Sequence, residues 1–145
     1  MRIVVDSLEK NPLWKEGKNV IRKRLDVGDY SLEGEESKIS IERKSSIDLY
    51  ATLTAGHARF NKEIERSKAY DYFAIVVDSS YEDTLNKRFA GSMHTKVKGY
   101  IIMAIIFTIH IKHQIPIFFA NNRKESRNII KELFKAYIRS LKWKP

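Results

Sequence analysis

Apolar residues follow two rhythms along this chain. Ile3-Val4-Val5 is a short unbroken run that ends at Asp6, and Phe73 to Val77 is another that ends at Asp78. Both predict buried strands, as does Ile115 to Phe119. Leu25 to Leu32 and Lys38 to Arg43 predict two more strands, closed into a hairpin by Glu33-Gly34-Glu35-Glu36. The helical rhythm is clearest in Arg123 to Trp143, where Ile129, Ile130, Leu133, Phe134, Tyr137, Ile138 and Leu141 share one face. Lys124, Lys131, Lys135 and Lys142 line the other. Arg59 to Tyr70 predicts a second helix with Phe60, Ile64, Ser67 and Tyr70 on one side. Ser45 to Leu53 predicts a third, with Ser45 and Asp48 spaced as a capping box. Lys96 to Lys112 is long and rich in isoleucine, which predicts a buried helix, and Trp14 to Arg24 predicts one more. Strands alternating with helices imply an α/β fold in three layers, α/β/α, around a central mixed sheet. The length suits a single domain over residues 1–145.

The hairpin's register follows from its alternation. A turn centred between Glu35 and Glu36 sets Tyr30 opposite Ile41 and Leu32 opposite Ile39, two apolar pairs on one face. Asp29 then faces Glu42 on the other side, and Lys44 points the same way. Arg43 falls on the apolar side, opposite Gly28. Two carboxylates about 5 Å apart repel unless a cation sits between them. Oxygen donors in that arrangement suit Mg²⁺ or Mn²⁺. From spacing alone, an exposed hairpin whose Glu42 and Lys44 attract each other accounts for the pattern equally well, and such a pair contributes under about 1 kcal/mol.

Charge narrows the choice. Lys and Arg number 27 against 18 Asp and Glu, a net charge of +9, which favours a polyanionic partner such as nucleic acid. The acids concentrate between residues 25 and 48, where Asp26, Asp29, Glu33, Glu35, Glu36, Glu42 and Asp48 outnumber Lys38, Arg43 and Lys44. An acidic island in a basic chain suits a metal-dependent nuclease: cations hold the backbone and carboxylates hold the metal. The absence of cysteine excludes disulfides and thiolate metal sites. Ile101 to Ile111 is the longest apolar stretch and is shorter than the about 20 residues a membrane span needs. No segment reads as a signal peptide, so the expected location is the cytoplasm or the nucleoid.

The strings Val27-Gly28-Asp29-Tyr30 and Ile41-Glu42-Arg43-Lys44-Ser45-Ser46-Ile47-Asp48 resemble the GD…ERKxxxD signature of XPF-type nucleases, which comprise XPF, Hef and their relatives in the PD-(D/E)xK superfamily. Val5-Asp6-Ser7-Leu8-Glu9 resembles the family's first strand and its D-x-R-E segment, with Leu8 where arginine is usual. Arg59-Phe60, Glu63 and Arg66 resemble the helix after the signature. The resemblance implies a restriction-endonuclease-like core and a Mg²⁺- or Mn²⁺-dependent DNA endonuclease. It implies Asp29, Glu42 and the Arg43 carbonyl as metal ligands, and Lys44 as the catalytic lysine near the attacking water. Arg43 would support the site or the scissile phosphate, Asp6 and Glu9 would complete its acidic edge, and Asp48 would steady Lys44 or Arg43. The family usually joins this domain to helix-hairpin-helix DNA-binding domains, which these residues lack. The basic surface, including Arg59, Lys96 and Lys98, is then expected to hold branched or flapped DNA. The domain is expected to pair with a second copy through an apolar patch at Ile102, Ile106 and Ile109, or with another DNA-binding subunit. The competing readings are a non-catalytic scaffold of the same fold and a nuclease without structure preference.

Overall fold

The computed structural model describes residues 1–143. Six strands form one mixed sheet: β1 (Ile3–Asp6), β2 (Val20–Lys23), β3 (Tyr30–Leu32), β4 (Ile39–Lys44), β5 (Tyr72–Val77) and β6 (Ile117–Phe119). Their spatial order is β2-β1-β3-β4-β5-β6. β3 runs antiparallel to both β1 and β4, whereas β1–β2, β4–β5 and β5–β6 are parallel. Four longer helices cover the sheet: α1 (Ser46–Leu53), α2 (His57–Ser67), α4 (Gly99–His113) and α5 (Arg123–Leu141), with the short α3 (Tyr81–Leu85) between them.

Period-two alternation divides the strands between two cores. Ile3, Val5, Tyr30, Leu32, Ile39, Ile41, Ala74 and Val76 pack on Ile130, Phe134 and Tyr137 of α5. Phe73, Ile75 and Val77 point the other way, onto Leu49, Tyr50, Ile64, Ile102 and Ile106 of α1, α2 and α4. The result is the expected three-layer α/β/α fold, and it follows from sheet residues that are apolar on both faces.

Three expectations need correction. Trp14 to Arg24 is not a helix. Leu13 and Trp14 are buried in the α5-side core, Trp14 meets the Tyr30 ring edge-on at 5.3 Å, and Val20–Lys23 is an edge strand. Gly17 bridges to Val20 in a tight return, and pairing with β1 then satisfies a β-branched pair that a helix would crowd. β3 is shorter than Leu25 to Leu32, because the chain turns through Gly28 at φ +75°. A Cβ on Gly28 would lie 2.1 Å from Ser40 Oγ, so its missing side chain makes room for Ser40. Tyr30 does pair with Ile41, while Leu32 to Ile39 closes through turn bonds about Glu35.

The third correction concerns α4, which is apolar all round but buried on one face only. Ile102 and Ile106 are in the core and Ile109 packs partly against it, so they supply no outer patch. The exposed apolar residues of α4 are Tyr100, Ile101, Phe107 and Ile111.

Gly28→Ala must shift Ser40 and adopt a strained φ, which costs about 1–3 kcal/mol. Urea unfolding is expected to show that loss with an unchanged m-value.

Candidate active site

The site forms where β4 leaves the sheet. Ile39, Ile41 and Arg43 face α5, so Glu42 and Lys44 face α1 and α2. Glu42 is only 6% exposed. Asp29 follows the Gly28 turn, and its amide donates to the Ile41 carbonyl at 2.9 Å. Its carboxyl accepts from the Arg43 amide at 2.8 Å and lies within hydrogen-bond reach of the Glu42 carboxyl. Lys44 Nζ stands 3.7 Å from Glu42 Oε1 and 6.0 Å from the centre of the Phe60 ring. An open cleft of about 390 Å³ begins here, lined among others by Lys44, Asp48, Arg59, Phe60 and Glu63. The fold therefore brings together Asp29, Glu42 and Lys44, with Asp48 and Arg59 at the cleft wall.

Burial dominates the electrostatics. It pushes the Asp29 carboxyl up from 3.8 to about 6, against the opposing pull of its contacts with Glu42 and the Arg43 amide. Burial likewise raises Glu42 well above its ordinary value, reinforced by the Asp29 charge and by contact with Glu63. Lys44 lowers both and does not reverse either.

Arg43 serves the opposite face. Its Nε donates to Asp78 Oδ2 at 2.7 Å, its Nη1 donates to the Asn11 carbonyl at 3.1 Å, and Glu9 Oε2 lies 4.0 Å away. Ser126 Oγ, in the first turn of α5, donates to the other Asp78 oxygen. The guanidinium thus pins the end of β4 to β5 and α5, on the far side of the sheet from the cleft. Its amide turns to Asp29, and in a strand the carbonyl of the same residue lies along the same edge. The Arg43 carbonyl therefore points to the strand edge on which Asp29 lies.

The other expected residues are more dispersed. Asp6 Oδ1 accepts from the Leu25 amide at 2.9 Å and from Arg24 at 3.0 Å, which anchors the chain entering the Gly28 turn. Glu9 Oε1 accepts from the Asn11 amide, and its charge reaches Asp29 only as one of the smaller influences. Asp48 makes no ion pair with Lys44 or Arg43 among the described residues; its amide donates to Ser45 Oγ at 3.2 Å, half of the expected capping box. Lys96 and Lys98 are exposed in the segment leading into α4 and do not line the cleft. Leu8 is 65% exposed, and Arg22 clamps its loop by donating to the Asp6, Ser7 and Glu9 carbonyls.

Two acids have partners that sequence reasoning did not assign to them. Asp78 reads as a strand end beside the Ser80–Asp83 cap, which does form, but the carboxylate is the buried partner of Arg43. Glu63 reads only as part of the helix that resembles the family's after the signature, yet its side chain meets Glu42 and its Oε1 is buried without a hydrogen-bond partner. Its i+3 spacing from Phe60 was the available signal.

A family model described as "ERCC4 domain" matches residues 4–133. The chain belongs to the ERCC4 domain family. This agrees with the XPF-type signature in residues 27–48. The ERCC4 domain's fold matches a solved XPF from Aeropyrum pernix at TM-score 0.71 and 23% identity, over 100% of this chain and 65% of that one. A second solved structure, XPF from Aeropyrum pernix in complex with DNA, matches at TM-score 0.66 and 23% identity, over 96% of this chain and 66% of that one. The chain thus spans just under two thirds of the XPF chains it matches. No curated protein matches it.

The donor set of this ERCC4 domain fits a small hard cation. Among the described residues no three His, Cys, Asp or Glu side chains close into a ready-made metal cluster. Mg²⁺ does not need one: it takes one or two carboxylates and keeps several waters. The buried Glu42 carboxyl, the half-buried Asp29 carboxyl against it, a carbonyl on the same strand edge and an orphaned oxygen of Glu63 form such a set.

Without a divalent ion, the raised values make the site a liability. The folded pair holds protons that the unfolded chain releases near pH 4, so stability falls as pH rises from about 4 through 6. For Asp29 alone the shift is worth roughly 3 kcal/mol, as one pKa unit is about 1.4 kcal/mol. In EDTA at pH 8, Asp29→Asn is expected to raise the unfolding free energy by about 1–3 kcal/mol, with the gain shrinking toward pH 4. Urea melts at the two pH values measure it.

Proposed function

We propose that this ERCC4 domain is a Mg²⁺- or Mn²⁺-dependent DNA endonuclease. The observation that carries the reading is the buried contact between the Asp29 and Glu42 carboxyls, with the Lys44 ammonium 3.7 Å from Glu42 at the mouth of an open cleft. A protein that used this hairpin only as structure would gain stability by replacing either acid with an amide.

Asp29, Glu42 and the Arg43 carbonyl would hold the cation. When bound, the ion activates water and offsets charge on the phosphate. The chain's own groups do the rest. Lys44 holds a positive charge and three donors at the cleft, where it can orient the attacking water and stabilise charge developing on phosphate oxygens. The water oxygen bonds to phosphorus in line with the ester bond that breaks, and the leaving sugar oxygen takes up a proton. Arg59 on the cleft wall offers a bidentate grip for a neighbouring phosphate. The Arg43–Asp78–Ser126 chain keeps β4 in place while the charge changes.

The net charge of +9 supports a nucleic-acid partner, and the XPF solved with DNA supports DNA in particular. Branched or flapped duplex is the substrate implied by the XPF-type signature. Pairing with a second copy is supported by the exposed face of α4, where Phe107 joins an aromatic group with Tyr81 and Phe119. This face replaces the patch expected at Ile102, Ile106 and Ile109. The scaffold reading is disfavoured because Asp29, Glu42 and Lys44 are all in place.

The test is cleavage of labelled fork, flap, four-way and linear DNA with Mn²⁺, Mg²⁺ or EDTA. The native chain is expected to cut with metal, and Asp29→Ala and Lys44→Ala to lose about 100-fold or more in rate. Binding without cutting, unchanged by either substitution, would establish the scaffold instead. Equal rates on branched and linear DNA would remove the structure preference.

A further inference from the structure

Glu63 is misplaced by the ordinary logic of a helix surface. On α2 it lies among cations, with Arg59 four residues before it, Arg66 three after and Lys62 adjacent. An acid at those spacings normally pairs with them. Glu65 follows this rule, 2.7 Å from Lys68 Nζ. Glu63 makes no ion pair among the described residues and turns under the helix to meet Glu42, another acid. Its Oε1 is buried there, and no amide, hydroxyl or cationic donor among the described residues reaches it. A buried acceptor left unpaired costs stability, and an acid aimed at an acid costs more. The buried end of the site then has three carboxyls, Asp29, Glu42 and Glu63, against one ammonium, Lys44. A doubly charged ion with its own waters supplies the missing charge and the missing donor together.

We infer that Glu63 is a positioning residue of the divalent-cation site, its free Oε1 accepting a hydrogen bond from a water of the cation's shell. The inference rests on the cation site proposed above. A water-mediated role suits a site in which no three acids close directly on one ion. Outer carboxylates of this kind fix the waters of a cation that keeps most of its hydration, and they raise its affinity.

Calorimetric titration of the full chain with Mn²⁺ tests this, comparing native protein with Glu63→Gln, Glu63→Ala, Glu65→Gln and Glu42→Gln. Thermal unfolding in EDTA confirms that each is folded, and the rise in Tm on adding Mn²⁺ gives a second readout. Both Glu63 variants are expected to bind Mn²⁺ at least about 10-fold more weakly and to show a smaller Tm rise, with Glu65→Gln unchanged. Native affinity in a folded Glu63 variant would overturn the inference while leaving the cation site standing. A native chain that binds no Mn²⁺, or a Glu42→Gln variant that binds it normally, would overturn the site and the inference with it.

Discussion

Two acids share one dry corner of this sheet, and neither can be fully charged while the other is. Water would screen them, but Glu42 is buried and Asp29 is held against a strand edge by the Arg43 amide. At a separation of about 4 Å and an effective dielectric of 20, like charges cost about 4 kcal/mol. One ammonium at 3.7 Å from Glu42 can offset one such charge and no more. The rest of the local structure is an answer to that repulsion. The Gly28 turn presents Asp29, the Arg43 amide keeps it there, and the side chain of Arg43 anchors the strand from behind.

The anchoring separates two jobs that adjoining residues of one short string perform. Glu42 and Lys44 face α1 and α2, whereas Arg43 between them faces α5 and does not line the cleft. Strand alternation produces that division without further devices. An exchange of Arg43 for lysine would keep the charge and lose the fork that holds Asp78 and the Asn11 carbonyl together. The guanidinium of the middle residue is therefore bonded to Asp78 and the Asn11 carbonyl, while its backbone amide is bonded to Asp29.

Much of this was legible in the sequence because a strand has a period of two. Tyr30 opposite Ile41 could be read from apolar pairing, and the side on which Arg43 lies followed by counting. The α5 stripe and the strand–helix alternation declared the three layers. What failed did so for physical reasons. Val20–Lys23 is a strand because β1, outside the segment itself, offers it a partner, and no local rhythm reveals that. α4 is apolar all round, so periodicity could not tell which face would be covered or that one face would stay open. Asp78 was concealed by a genuine helix cap two residues on. The contact of Glu63 with Glu42 was concealed by the cations around it, since a salt-bridged surface helix and a helix turning an acid inward have the same composition.

The central claim is that the paired carboxyls exist to hold a divalent ion. Anomalous diffraction from crystals soaked in Mn²⁺ addresses it most directly. The account predicts one strong peak within about 2.2 Å of an oxygen of both Asp29 and Glu42, with the Arg43 carbonyl in its shell. Crystals with ample Mn²⁺ but no peak between those two residues, or with the two carboxyls turned apart, would contradict it.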